Sequence, residues 1–267
     1  MQAHFVDVFT TTPGQGNPAA VVMDAGRLSG PEMAGIAAQL GVETTFVDGT
    51  TLRYYQPSGH AMVLCGHGTM AALAVMGNEG EYTVSTPVGD LPVKVERYLF
   101  GMAMPPVTFG PALDPQIAAT ALGIDLSQID GPVQIVGGGR PKLIVPLMSL
   151  EALEALRPDS QAVEEACTGV GATGIYPFTR KVRALGASAE ARHFPAGAGI
   201  YEDPVTGVGG LALAWYLWHY GCCGGCCGVK VAQGFEMGRP GMMMIRQEQD
   251  GHTWLYGQAA IGGTRQL

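Results

Sequence analysis

The hydrophobic pattern of this chain alternates first and then turns helical. His4-Phe5-Val6-Asp7-Val8-Phe9 reads as a strand, residues 10–18 as a long turn, and 19–23 as a second strand. Ser29 stands three residues before Glu32, the spacing of a capping box, and Met33, Ile36, Ala37 and Leu40 then fall on one helical face. Gly41 stops that helix. Residues 42–47 are β-type, and Asp48-Gly49 turns them into a strand over 52–56. Short strands are predicted between 81 and 107, and 102–111 reads as a crossover. The order then repeats: a helix over 115–122, strands over 133–136 and 142–146, and helices over 150–155 and 160–168. Strands at 174–178 and 181–185 follow, and more strands fill 229–257.

Two segments break the pattern. Cys65-Gly66-His67-Gly68-Thr69 and Asp203-Pro204-Val205-Thr206-Gly207 each open a helix that is apolar on every side. Such a helix must be buried. Its first backbone N–H groups have no partner inside the helix, and an anion is their natural ligand. A pair of these entries predicts a duplicated fold with a carboxylate site between its halves. Glycine-rich entries can also serve close packing alone. The boundary is placed near Phe109, giving domains 1–109 and 110–267, and the last strands can cross back to the first.

Composition narrows the partners. Of 267 residues, 47% are apolar and 14% charged, which marks a folded, well-buried chain. The net charge of −8, without a Lys/Arg cluster, argues against nucleic acid and anionic membrane. No apolar run reaches membrane-spanning length, and the first residues lack a signal-peptide pattern. A cytoplasmic location with reduced thiols is expected. Cys222-Cys223-Gly224-Gly225-Cys226-Cys227 contains one CxxC spacing but no second distant pair, so it is read as a tight turn and not a metal site.

Asp7-Val8-Phe9, Gly16-Asn17-Pro18-Ala19, Glu43-Thr44-Thr45-Phe46-Val47, Cys65-Gly66-His67-Gly68-Thr69, Glu202-Asp203-Pro204-Val205-Thr206-Gly207 and Gln233-Gly234-Phe235-Glu236-Met237-Gly238-Arg239-Pro240 occur in this order. With this ordered set the chain resembles the phenazine-biosynthesis PhzF-like family over essentially its whole length. The resemblance implies the α+β fold of diaminopimelate epimerase and proline racemase. That fold has two similar α/β barrel-like domains, each a curved, mostly antiparallel sheet around a central buried helix. It implies a homodimer that needs no cofactor and no metal. It also implies a proton-shift isomerisation of a small carboxylate substrate bound in the interdomain cleft.

Residue by residue, the resemblance makes Glu43 the general base and acid, with His67 and Asp203 assisting. An apolar pocket around Glu43 would suit it to that work. The backbone N–H groups of Gly66, His67, Gly207 and Val208 would grip the carboxylate, with Asn17, Cys65 and Thr206 lining the substrate. Asp203 is assigned an orienting role. Asn17 reads equally well as a left-handed turn residue. Racemases of this fold place a cysteine at the start of each central helix; here Thr206 stands where the second would be, and a hydroxyl is a poor replacement. Two-thiol racemisation is therefore disfavoured, and Cys65 is expected to pack as a small hydrophobe. Val208 replaces the family's usual serine, and His60 lies where an acidic residue is common. Arg239 is expected to hold chain carbonyls. The alternatives left standing are a non-catalytic small-molecule binding protein and, further off, an amino-acid racemase.

Overall fold

Two helices with unlike surroundings organise the first unit of the chain, which comprises Met1–Ala103 and Trp254–Leu267. The computed structural model describes residues 1–222 and 228–267. The unit begins with strands β1 (Gln2–Val8) and β2 (Asn17–Val22), then helix α1 (Gly30–Leu40) and strands β3 (Thr44–Asp48), β4 (Thr51–Tyr55) and β5 (Ala61–Met62). Helix α2 (Gly66–Met76) and strands β6 (Gly80–Thr86), β7 (Gly89–Glu96) and β8 (Leu99–Met104) follow. α1 starts on the Ser29–Glu32 capping box and ends at Gly41, whose φ of 73° suits glycine. Its Met33, Ala37 and Leu40 pack with Ala3, Ala20, Val22 and Phe46. α2 is buried over residues 68–73 and packs against β1, β2, β3 and β4. Covered by both helices, β2 reads as an unbroken apolar run instead of an alternating one.

β1 pairs antiparallel with β2, and β2 pairs parallel with β3 across α1. β3–β4, β4–β5, β6–β7 and β7–β8 are antiparallel, and a single parallel bridge, Thr51 to Ser85, joins β4 to β6.

The second unit is Met104–Thr253. It contains β9 (Thr108–Leu113), α3 (Pro115–Leu122), β10 (Val133–Gly137), β11 (Lys142–Pro146), α4 (Leu150–Ala155) and α5 (Ser160–Val170). It continues with β12 (Gly174–Thr179), β13 (Ala189–Ala191), β14 (Phe194–Pro195), α6 (Gly207–His219), β15 (Val229–Gln233) and β16 (Gly241–Gln247). β9–β10 and β10–β11 are antiparallel. β11 runs parallel to β12 across α4 and α5, as β2 does to β3 across α1. β12 then pairs antiparallel with β13 and β14, β13 parallel with β15, and β15 antiparallel with β16. α6 packs on β10, β11 and β16, while α3 and α5 pack through Ala118, Ala121, Val163 and Cys167 against Leu143, Val145 and Ile175.

The last strands return to the first unit. β17 (Thr253–Gly257) pairs with β8, and β18 (Ala259–Gln266) pairs antiparallel with β1 and also packs on α2.

Two expectations change, and one lies outside the described residues. Residues 181–185 form no strand: Glu190 Oε1 accepts the backbone N–H groups of both Arg183 and Ala184 and holds a loop there, with Leu185 fully exposed. Residues 102–111 are not only a crossover, since β9 occupies their second half and pairs with β10. The CxxC spacing of Cys223 and Cys226 lies outside the described residues; Cys222 is a half-buried free thiol.

Candidate active site

Glu43 directly precedes β3, and its carbonyl accepts the backbone N–H of Ala20 on β2 at 2.9 Å. This fixes the residue at the end of the parallel pair instead of within a strand. Cys65 is the N-cap of α2, and its sulfur accepts the N–H of Gly68 at 3.3 Å. Thr69 reinforces the cap: its hydroxyl donates to the Cys65 carbonyl at 2.8 Å and bonds the buried Tyr54 hydroxyl at 2.8 Å. His67 follows in the first turn.

These elements bring three side chains together. The Cys65 thiol donates to Glu43 Oε2 at 3.1 Å. His67 Nε2 lies 3.2 Å from the same oxygen, and His67 Nδ1 lies 3.6 Å from the sulfur. The Glu43 side chain is 31% exposed and that of His67 13%. Glu43 therefore sits against a thiol and an imidazole, not in the apolar pocket expected for it. Cys65 is buried, but its polar contacts make it more than a small hydrophobe. Their ligand atoms lie within 4.8 Å of one another, so the three side chains could together bind a divalent cation.

The glycines of the entry divide the labour. A Cβ on Gly68 would stand 2.6 Å from Thr45 Oγ1, so this glycine serves close packing. A Cβ on Gly66 would meet only Met102 and Leu255, at 3.8 and 3.9 Å. Gly66 and His67 are half-buried, and their N–H groups precede the first intrahelical acceptor.

The second unit carries a parallel arrangement. Thr206 is the N-cap of α6, yet its side chain makes no cap bond. Its hydroxyl lies 2.5 Å from Asp203 Oδ2 and 2.9 Å from His193 Nδ1. Asp203 Oδ2 is 3.5 Å from that nitrogen, so the histidine it orients is His193. Gln233 on β15 locks the group. Its amide oxygen accepts the Thr206 N–H at 3.2 Å and the Tyr176 hydroxyl at 2.7 Å, and its Nε2 donates to the Asp203 carbonyl at 2.7 Å. Burial, reinforced by the Lys142 ammonium, holds the His193 imidazole down at about 4, so it is neutral at pH 7. Burial likewise lowers Lys142 to about 8; its Nζ donates to Thr173 Oγ1.

Glu202 explains the acidic residue before Asp203. Arg192 Nε and Nη2 donate to its two carboxylate oxygens at 2.9 and 2.7 Å, while Arg192 Nη1 donates to the carbonyls of Leu153 and Leu156. This buried fork pins the loop that carries Asp203. A cavity of about 370 Å³ lies beside the pair, lined by Arg157, Tyr201, Glu236 and Met237 as well. Arg192, Glu202 and Glu236 are held in ion pairs and Arg157 donates to the carbonyls of Glu154 and Leu156, so the chemistry is assigned to the side-chain clusters and not to this cavity.

Other predicted residues fall as follows. Asn17 is buried at the start of β2, opposite Val8, and is no left-handed turn residue; Gly16 takes the positive φ of 63°. Gly207 and Val208 are the half-buried first residues of α6. His60 is exposed beside β5, its ring 3.3 Å from Ser58 Oγ. The Arg239 N–H donates to the Gly234 carbonyl and closes the turn between β15 and β16. No described helix is long and apolar enough to cross a membrane. His193 is missed by sequence reasoning, and Gln233 stands there only as the first residue of the Gln-Gly-Phe motif, without a role.

Comparison with known proteins completes the picture. The family model described as "Phenazine biosynthesis-like protein" matches residues 6–263. The uncharacterized isomerase YfhB of Bacillus subtilis is 34% identical, covering 98% of this chain and 96% of its own. The trans-2,3-dihydro-3-hydroxyanthranilate isomerase of Pseudomonas chlororaphis is 30% identical over 91% of this chain and 89% of its own. The crystal structure of a Bacillus anthracis phenazine biosynthesis protein of the PhzF family superposes with a TM-score of 0.89 at 26% identity, covering 100% of this chain and 98% of that one.

Proposed function

The chain belongs to the phenazine biosynthesis-like protein family and is an isomerase; from that premise we propose that it moves a proton between carbons of a small carboxylate substrate, with Glu43 as base and acid. The observation that carries this reading is the double contact on Glu43 Oε2, from the Cys65 thiol at 3.1 Å and His67 Nε2 at 3.2 Å. Both partners hold one carboxylate oxygen. Oε1 is then the atom that takes a proton from one substrate carbon and returns it to another. His67 steadies the carboxylate before the first transfer and again after the second, when the proton is on the substrate. Within each unit the half-buried first-turn amides of the central helix, α2 or α6, are offered to an anionic group, supported by their position ahead of any intrahelical acceptor. Asn17 in the first unit and Asp203 in the second are read as substrate-binding polar groups.

Each unit is read as a curved, mostly antiparallel sheet wound about its central helix, α2 or α6. The return of β17 to β8 and of β18 to β1 supports this for the first unit. We read the protein as a cytoplasmic homodimer that works without metal or organic cofactor. A two-thiol racemase is disfavoured because α6 carries Thr206 at its N-cap where α2 carries Cys65.

The test is solvent exchange. The protein is incubated in D₂O with trans-2,3-dihydro-3-hydroxyanthranilate, the compound named for the Pseudomonas relative, and with a panel of small cyclic carboxylates. Label at a C–H position is expected with the wild type and a loss of at least about 100-fold with Glu43→Gln. No label with any compound would overturn the proton shift. Wild-type labelling by Glu43→Gln would overturn the role of Glu43.

A further inference from the structure

In the second unit the side chain best placed to cap α6 does not do so. N-cap hydroxyls normally accept a first-turn N–H. The Thr206 hydroxyl instead bridges Asp203 Oδ2 at 2.5 Å and His193 Nδ1 at 2.9 Å. Gln233 Nε2 also approaches it, at 3.3 Å.

The proton positions follow from counting donors. A hydroxyl has one proton to give. Asp203 Oδ2, when ionised, can only accept, so Thr206 donates to it. His193 must then donate to Thr206, which puts the imidazole proton on Nδ1. The other ring nitrogen agrees: Nε2 is buried without a hydrogen-bond partner, and a Cβ on Gly174 would stand 2.6 Å from it. A buried N–H there would be an orphan donor, one of the costlier defects of an interior. Around the ring stand Lys142 on β11, Arg140 just before it, Tyr176 on β12 with ring centroids 5.9 Å apart, and Asp203. Burial, with the two nearby cations, disfavours a second proton on the ring, which stays neutral.

We propose that His193 is a positioning residue: acting through the Thr206 hydroxyl, it holds Asp203 ionised, with Oδ2 fixed as a hydrogen-bond acceptor. The relay runs one way, from His193 Nδ1–H to Thr206 Oγ1–H to Asp203 Oδ2. Its use in turnover rests on the reading of Asp203 as part of the active site; the relay itself does not.

The wild-type protein gives a first test without any substitution. ¹⁵N NMR of the histidine rings at pH 7 is expected to show His193 neutral with its proton on Nδ1. A ring protonated on Nε2 overturns the proposal. The second test follows the titration of Asp203 through its ¹³Cγ resonance, assigned with Asp203→Asn. Thr206→Val keeps the shape and removes the bridge; it is expected to raise the midpoint of Asp203 by about one unit, the weight of one hydrogen bond to a charged group. His193→Leu should do the same, and His193→Asn, whose amide N–H replaces Nδ1–H, should restore the wild-type midpoint. An unmoved midpoint in Thr206→Val overturns the relay. If the midpoint moves and the acid limb of the exchange-rate profile moves with it, both relay and site reading stand. If the midpoint moves and the acid limb does not, the relay stands and the catalytic reading of Asp203 falls.

Discussion

Cys65 and Thr206 occupy the same position in their two helices, with backbone angles of −135°/109° and −116°/102°. Each touches one carboxylate and one imidazole: Glu43 and His67 for the thiol, Asp203 and His193 for the hydroxyl. The sulfur also accepts from its own helix, while the hydroxyl does not. One entry keeps its cap, and the other commits its cap to a side-chain relay.

That difference predicts different costs at the two caps. Cys65→Ala removes a cap bond and the donor to Glu43. A loss of about 1 kcal/mol in stability and about tenfold in exchange rate is expected. Cys65→Ser, an effective N-cap with a hydroxyl donor, should recover both. Denaturant midpoints and deuterium incorporation read the two effects. An equal rate loss in both variants would point to chemistry of the sulfur itself.

The Arg192–Glu202 fork is buried on both sides, with Arg192 2% and Glu202 8% exposed. Glu202→Ala leaves the buried guanidinium with only the longer 3.8 Å contact to Glu236 and its two carbonyl bonds, and a destabilisation of about 3 kcal/mol is expected. The double variant Arg192→Met, Glu202→Leu should recover much of it. Urea titration of the three proteins measures the coupling.

Glycines 66 and 68 should behave oppositely. Gly68→Ala forces a Cβ against Thr45 Oγ1 and Cys65 Sγ, and should cost about 1–3 kcal/mol through overpacking. Gly66→Ala meets ordinary contacts and should leave the unfolding midpoint near wild type. Equal destabilisation by the two variants would contradict the packing argument.

Stability should also carry a pH signature from His193. The unfolded chain takes up this proton near 6.5, the folded chain only at about 4. Between those values the unfolded state binds more protons. Stability therefore falls as pH drops from about 6.5 to about 4 and levels off below, by about 3 kcal/mol from this group. His193→Asn should flatten that part of the wild-type profile. Parallel profiles for the two proteins would show that the buried ring is not its source.

What the sequence revealed was what is local. The Ser29–Glu32 cap spans three residues, and the all-round apolar character of α2 and α6 is visible in one turn of each. Glu43, Cys65 and His67 stood out by motif, but their convergence on one carboxylate oxygen depends on β2 holding the end of β3. His193 escaped because its partner Thr206 is 13 positions away and reached only through a folded loop. Residues 181–185 misled because a strand-like composition gave way to one folded-back acid, Glu190, six and seven positions beyond the Ala184 and Arg183 N–H groups it accepts. Local periodicity carries no trace of such tertiary partners.

The pairing of β17 with β8 and of β18 with β1 has a consequence for synthesis. On the ribosome the first unit emerges first, but its β1 and β8 edges wait for strands made last. The second unit, contiguous between them, can complete its sheet earlier. A nascent or truncated chain without residues 253–266 therefore presents two open strand edges, the feature that invites edge-to-edge aggregation and makes the earliest-born half the last to mature.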